Sequence, residues 1–385
     1  MAVKKQVLIF GSTGSIGQNA LMVISRAARD FEVLGLCANN DIKTIRFQIN
    51  EFKPRYVCVA DIESARLIEK EIPKNIKFFK GEQGLLDFAR IKSDIAVMAI
   101  TGISCLKPLW ESLEHSKRIA LANKESIVTA GRLIFARAKK FNSEIIPIDS
   151  EINSLFQLFK REQEFNRVHI TASGGALLNY KQSQLSKVGA KDVLSHPTWK
   201  MGKRITVDCA TLVNKAFEVV ETHEFFNVPY EKIDVVIHRE STVHAMVECA
   251  DSTVFSCMYP PDMRTPIAFA LHYPKRVRSL NDNTLPKKFT LTFEPMNTKQ
   301  FPGFCTVIDA AQKGKAALAA INGADEVAVT SFLSGEIKFT AIARVLAQVL
   351  GKCRSEKISN IGEVLFWDQW GRALAREYLA KKGLN

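Results

Sequence analysis

Residues 6–17 read QVLIFGSTGSIG, a short apolar run that enters glycines at 11, 14 and 17 and continues into the helical pattern QNALMVISRA. No other stretch limits the possible folds as strongly. Glycines at that spacing, between a strand and a helix, allow a tight turn and the close approach of a pyrophosphate to the helix N-terminus. A glycine-rich structural turn is the plainer alternative. The alternation of strand and helix then continues: EVLGLCA, YVCVA at 56–60, IAVMAI at 95–100, RIALAN at 118–123 and EIIPID at 144–149 are apolar runs separated by helical stretches. Alternation of this kind predicts a Rossmann-like, doubly wound parallel sheet whose ligands gather beyond the carboxyl ends of the strands. The second strand ends Cys37-Ala38-Asn39-Asn40, and the first acid comes only at Asp41. Absence of a strand-end acid leans toward NADP over NAD.

Beyond residue 150 the pattern changes. VHITASGG (168–175) reads as a strand entering a Ser-Gly-Gly turn. Its amides and the Ser173 hydroxyl suit a phosphate, and a hairpin turn is the equal alternative. KIDVVIHR, STVHAMVECAD and STVFSCMYP alternate as half-buried strands and predict an antiparallel sheet packed on helices. His238 and His244 lie in these strands and are read as structural. Residues 280–307 are polar and irregular, a linker, and the chain from 308 onward is helical in pattern.

Composition narrows the class. With 385 residues, two or three domains are expected. The hydrophobic fraction of 46% is ordinary for a globular protein, and no run of eighteen apolar residues marks a membrane span. The start, MAVKK, runs directly into a strand and leaves no room for a signal peptide. Eight scattered cysteines without a CxxC or a zinc-type cluster read as reduced and cytoplasmic. The net charge of +13 is spread along the chain among 40 acids, without a basic block or an aromatic–basic RNA motif. A field of this kind fits phosphorylated small molecules better than nucleic acid.

The chemistry concentrates between His196 and Glu218, HPTWKMGKRITVDCATLVNKAFE. Its second half reads as a helix in which Asn214, Lys215 and Glu218 share one side, and Leu212, Val213, Ala216, Phe217 and Val220 the other. The basic segment before it, with Trp199 and Met201, reads as a loop over a site. An ordinary solvated i,i+3 pair is the plainer account of Lys215 and Glu218. Two more polar clusters follow strands: Asn123-Lys124-Glu125 and Asp149-Ser150-Glu151. Each also has a bland reading, as a helix start or an N-cap. Taken together, the carboxylates of Asp149, Glu151 and Glu218, with no Cys or His among them, favour Mg²⁺ or Mn²⁺. Ser173, Asn214 and Lys215 favour a phosphate, and Lys124 an anionic oxygen or carbonyl.

GSTGSIG, LANKES, PIDSE, TASGG, HPTWKMG, KRITVDCATLVNKAFE, PPDMRTP and NGADEVAV occur in that order. The whole chain thereby resembles the 1-deoxy-D-xylulose 5-phosphate reductoisomerase family of the non-mevalonate isoprenoid pathway. The resemblance implies a metal-dependent rearrangement of the substrate's carbon skeleton, then reduction of the resulting aldehyde by NADPH to 2-C-methyl-D-erythritol 4-phosphate. It implies metal ligation by Asp149, Glu151 and Glu218, with Glu151 also moving a proton and Lys124 meeting substrate oxygens. Ser150 would hold a substrate hydroxyl. Ser173, Asn214 and Lys215, and Cys209 where most relatives carry serine, would hold the phosphate. His196 would close from the loop, Trp199 would cover the substrate, and Met201 would lie against the nicotinamide. Thr13, Gly14, Ser15 and Ile16 would take the pyrophosphate. Asn39, Asn40 and Asp41 would lie near the adenosine ribose, Asn123 and Glu125 near a ribose, and Gly202 on the loop side.

The same resemblance implies a homodimer and this order of domains: an NADPH-binding domain at 1–149, a central α+β catalytic and dimerisation domain at 150–279 with its lid loop near 193–203, the linker, and a helical bundle at 308–385. Several positions depart from the family pattern. A thiol at Cys209 is a weaker donor than a hydroxyl. Ile152 replaces a common His, Lys200 a more usual Asn or Ser, and Asn40 and Asp41 a Lys and an Asn. An acid at 41 works against a 2′-phosphate.

Overall fold

The protein is described by a computed structural model covering residues 3–160, 164–195, 199, 201–277 and 288–382. In chain order the first half runs β1 (Lys5–Phe10), α1 (Ser15–Arg26), β2 (Phe31–Ala38), α2 (Ile42–Phe52), β3 (Tyr56–Val59), α3 (Ile62–Ile68), β4 (Lys77–Lys80), α4 (Gly81–Ala89), β5 (Ser93–Met98), α5 (Leu106–His115), β6 (Ser116–Leu121), α6 (Lys124–Phe141), β7 (Glu144–Pro147) and α7 (Ser150–Phe159). The second half runs β8 (Arg167–Ala172), α8 (Gln182–Leu185), α9 (Ala190–Leu194), α10 (Lys203–Thr211), α11 (Val213–Phe226), β9 (Ile233–Ile237), β10 (Val243–Glu248), β11 (Val254–Met258), α12 (Arg264–His272), β12 (Glu294–Pro295), α13 (Pro302–Lys313), α14 (Lys315–Leu333), α15 (Phe339–Lys352) and α16 (Ile361–Lys382).

Two compact units emerge, the first from Met1–Asn123, Ile134–Asn153 and Asp262–Asn283, the second from the remainder. The first holds a seven-stranded sheet in the order β4-β3-β2-β1-β5-β6-β7, parallel throughout. The winding direction reverses between β1 and β5, which opens a crevice at the carboxyl end of β1, where the glycine loop lies. The expected apolar runs form the central strands, and Val7 to Phe10 are fully buried. α12 returns to this unit and packs on α1, and the Arg118 guanidinium donates to the terminal carbonyls of Ala270 and Leu271.

The second unit holds a five-stranded sheet in the order β11-β10-β8-β9-β12. The sequence predicts an antiparallel sheet, but this one is mixed: β8 and β9 run parallel, and the other pairings are antiparallel. The reason is the connection, because β8 leads into α8–α11 before β9 and so returns by a helical crossover rather than a hairpin. Helices α13–α16 form the C-terminal bundle, and its first helix starts at Pro302, inside the stretch read as irregular. Among the described helices, α14 is long and apolar enough to cross a membrane, but it is mostly buried against α13, α15 and α16.

Candidate active site

The glycine loop is built by steric necessity. Gly11 has a φ of +79°, and a Cβ there would lie 2.5 Å from the Ala99 carbonyl oxygen. A Cβ at Gly17 would lie 2.2 Å from the Gly11 oxygen. The loop is held from below by the buried Ser12 hydroxyl, which donates to Gln48, while the Gln48 amide donates back to the Ser12 carbonyl. Gly14 is the N-cap of α1 without a side-chain cap, and no acid stands in the first turn. Thr13, Gly14, Ser15 and Ile16 therefore surround a helix N-terminus whose free N–H groups favour an anion. Asn39 and Asn40 are exposed beyond β2, and Asp41 spends its carboxylate as the N-cap of α2, accepting from the Thr44 amide at 3.0 Å.

Two further clusters stand at the carboxyl ends of β6 and β7. Asn123 is buried, and its amide donates to the Ile100 and Gly102 carbonyls at 3.0 Å each, so it braces the neighbouring strand end. Asp149 opens α7, its carbonyl accepting from the Asn153 amide at 2.8 Å. Ser150 is buried and donates to Glu151 at 2.5 Å, which orients that carboxylate. Ile152 is fully buried.

In the second unit the segment read as one helix is two. Leu212 adopts the left-handed conformation (φ 55°, ψ 14°), ends α10 and begins α11 on a new axis. Asn214, Lys215 and Glu218 do share a face, yet that face is not solvated: their exposures are 8%, 4% and 2%. The Glu218 carboxylate accepts from the Lys124 ammonium at 2.7 Å, from the Asn214 amide at 2.6 Å, and from the Lys215 ammonium. Lys124 is itself 6% exposed. Desolvating two ammoniums and a carboxylate is expensive even when they are paired, so this cluster is not the ordinary surface pair that its spacing allows.

The Ser-Gly-Gly turn packs on the end of α10. Gly174 and Gly175 have φ values of +84° and +68°, and a Cβ at Gly175 would lie 2.7 Å from the Cys209 carbonyl. Because the turn leads toward α8, it is not a hairpin. It leads past the end of α10, and no acidic residue stands in the first turn of α11. Burial, and the Glu218 carboxylate after it, push the Cys209 thiol well above the ordinary thiol range.

Trp199 packs edge-on toward His244 with ring centroids 6.2 Å apart, and His244 stacks on Tyr259. Met201 is half-buried and Gly202 is the exposed N-cap of α10. His196 and Lys200 lie outside the described residues. His238 is structural as expected: its ring bridges the Thr292 carbonyl and the Thr242 and Val243 amides. Glu125 faces the Arg204 guanidinium at 3.5 Å. Arg204 has no assigned part in the sequence reading. The signal for it was a cation in the first turn of α10, where the helix dipole disfavours one.

Sequence models of three segments match this chain: 1-deoxy-D-xylulose 5-phosphate reductoisomerase over residues 7–131, and two C-terminal domains of the same enzyme over residues 145–226 and 258–374. A curated protein of that name from Thermodesulfovibrio yellowstonii is 40% identical, covering 98% of this chain and all of its own. Another from Bacillus thuringiensis subsp. konkukian is 38% identical, covering 98% and 99%. Among solved structures, a DOX-P reductoisomerase in complex with NADPH, fosmidomycin and magnesium superposes with a TM-score of 0.92 at 30% identity, over 98% of each chain. The enzyme from Zymomonas mobilis in complex with NADPH gives 0.90 at 29% identity, over 98% and 99%.

Proposed function

The chain belongs to the 1-deoxy-D-xylulose 5-phosphate reductoisomerase family, and from that premise we propose how its own residues carry the reaction. It converts 1-deoxy-D-xylulose 5-phosphate to 2-C-methyl-D-erythritol 4-phosphate for isoprenoid precursors, by metal-dependent isomerisation and NADPH-dependent reduction. The observation that carries the assignment of residues is the buried Lys124–Glu218–Lys215 cluster with its Asn214 donor.

Asp149, Glu151 and Glu218 each offer a carboxylate oxygen, a donor set suited to a hard divalent cation. The residues fit Mg²⁺ or Mn²⁺, because all three donors are carboxylates and Glu218 is oriented in a buried setting by two ammoniums and an amide. Such a cation supplies Lewis-acid polarisation of the substrate carbonyl and its neighbouring oxygen. Lys124 offers a dry, oriented positive charge where negative charge develops on those oxygens. Ser150 holds Glu151 in place for proton transfer and offers its own oxygen to a substrate hydroxyl. Ser173, Cys209, Asn214, Lys215 and the first-turn amides of α11 take the phosphate. Trp199 and Met201 would cover the reacting carbons and exclude water, with His196 closing from the loop.

NADPH would supply the hydride, and Thr13, Gly14, Ser15 and Ile16 would hold its pyrophosphate. Asn39, Asn40 and Asp41 would lie near its adenosine ribose, Asn123 and Glu125 near a ribose, and Gly202 on the loop side. We also propose a homodimer, since edge strand β11 leaves Val254 and Phe255 exposed as an apolar border that a second copy would cover. Eight free cysteines fit a reducing cytoplasm.

The test is NADPH oxidation with 1-deoxy-D-xylulose 5-phosphate, with and without Mg²⁺ or Mn²⁺, on wild type and Lys124→Met. Metal-dependent turnover that the variant loses is expected. Tight NADPH binding without turnover in any metal would overturn the assignment.

A further inference from the structure

Arg204 stands in the first turn of α10, directly after the Gly202 N-cap and Lys203. A cation there opposes the helix dipole, so its position must be explained by what it meets. Its side chain is 19% exposed and faces four carboxylates from three helices: Glu125 of α6 at 3.5 Å, Asp208 one turn along α10 at 3.6 Å, and Asp325 and Glu326 of α14 at 3.5 and 3.4 Å. The Asn322 oxygen accepts from it at 3.4 Å. Arg372 of α16 engages Glu326 and, at 2.6 Å, Asp368. Asp208 and Asp325 are buried, at 5% and 0% exposure.

These contacts fall on Glu125, itself assigned to the cofactor, and on residues adjacent in sequence to the rest of the proposed machinery. Glu125 follows Lys124 in the first turn of α6. Asp208 precedes Cys209. Asn322, Asp325 and Glu326 belong to the NGADE stretch of the C-terminal bundle, which the catalytic assignment leaves without a role. One planar guanidinium reaches all three helices, a geometry that a lysine cannot reproduce.

We propose that Arg204 is a positioning residue of the reaction, and that the NGADE segment of α14 serves to hold it, so that the Lys124-bearing turn of α6 and the Cys209-bearing turn of α10 keep one fixed spacing. The proposal rests on the reductoisomerase reading and adds a part of the chain to it. The charge balance supports it. Four carboxylates surround one guanidinium, Arg372 offsets only Glu326 and Asp368, and burial pushes both Asp208 and Asp325 up, Asp325 to about 6. Below that pH Asp325 takes a proton and Arg204 loses an anionic partner.

The test compares Arg204→Lys, Arg204→Gln and the double variant Arg204→Gln/Asp325→Asn. We expect Arg204→Gln to lower kcat roughly 10²-fold, the scale of a displacement of about 1 Å in a catalytic group. The NADPH dissociation constant should stay within about twofold, and Arg204→Lys should recover part of kcat. The double variant removes one uncompensated negative charge, so its Tm should recover while kcat stays low. Hydrogen exchange in Arg204→Gln should rise at 124–128 and 203–208 and stay unchanged in the seven-stranded sheet. Recovery of kcat together with Tm in the double variant would reduce Arg204 to charge balance and overturn the proposal. So would unchanged kcat, KM and exchange in Arg204→Gln. The exchange measurement needs no turnover, so it judges Arg204 even if the wild type fails to act on the substrate.

Discussion

Glu218→Gln tests the cluster most directly, because it changes a charge and almost no volume. In the wild type one carboxylate balances the ammoniums of Lys124 and Lys215, all three groups being under 7% exposed. A glutamine keeps an oxygen for one donor but leaves two buried cations facing a neutral amide. Breaking a buried pair on one side costs about 3–5 kcal/mol. For a unit of this size about 3 kcal/mol corresponds to a fall in Tm of roughly 6–12 °C. The metal reverses the comparison. At about 100 times its dissociation constant a cation stabilises the wild type by about 2.7 kcal/mol, whereas the variant has lost a ligand and should gain much less. Thermal melts of both proteins, with and without Mn²⁺ and without substrate, read both effects. A metal-free variant that melts with the wild type would refute the energetic reasoning. An equal metal shift in both proteins would remove Glu218 from the ligand set.

Further outcomes follow from single positions. Gly17→Ala would place a Cβ 2.2 Å from the Gly11 carbonyl oxygen, so NADPH affinity measured by fluorescence titration should fall at least tenfold while α11 is untouched. Asp41→Asn keeps an equally good cap for α2 and removes a negative charge beside the adenosine end; KM for NADPH should fall and Tm should hold. Cys209→Ser supplies a stronger donor at the phosphate position, worth about 1 kcal/mol, and should lower substrate KM several-fold in steady-state assays. Burial holds Cys353 up at about 11 from 9.0. Its thiol therefore stays protonated in the folded protein when the unfolded chain has already ionised, and stability is lost as pH rises from about 9 toward 11. Melts across that range should show the loss, and Cys353→Ala should flatten it.

The parallel sheet was legible because its central strands are apolar on both faces and leave only one way to be buried. β4 was not legible: KFFK is short, ends in lysines and sits on the sheet edge, so its pattern is that of a surface segment. The direction of β8 against β9 could not be read either, since alternation fixes a strand's faces and not its partner's polarity. The break at Leu212 has no local signal, because leucine in the left-handed region is held by tertiary packing and not by propensity. Spacing did place Asn214, Lys215 and Glu218 on one face. It could not say that the face is buried, because the residues that cover it come from elsewhere in the chain, Lys124 among them.

That burial separates two kinds of charge in this protein. Pairs such as Arg66–Glu63 and Lys107–Glu82 are exposed on both sides and contribute little. The clusters around Glu218 and Arg204 are buried, and apolar residues of the same volume would stabilise the fold at least as well. Stability alone therefore does not account for either of them. The proposed reaction accounts for the Glu218 cluster, since in it these ammoniums and this carboxylate would meet phosphate, substrate oxygen and metal. The Arg204 cluster touches none of these, yet it repeats the same costly chemistry one residue away from Lys124 and from Cys209. An apolar replacement would fill that space and still allow the two turns to slide. Ion pairs from one planar group on α10 to carboxylates of α6 and α14 do not, and fixed spacing between those turns is what the neighbouring cluster requires.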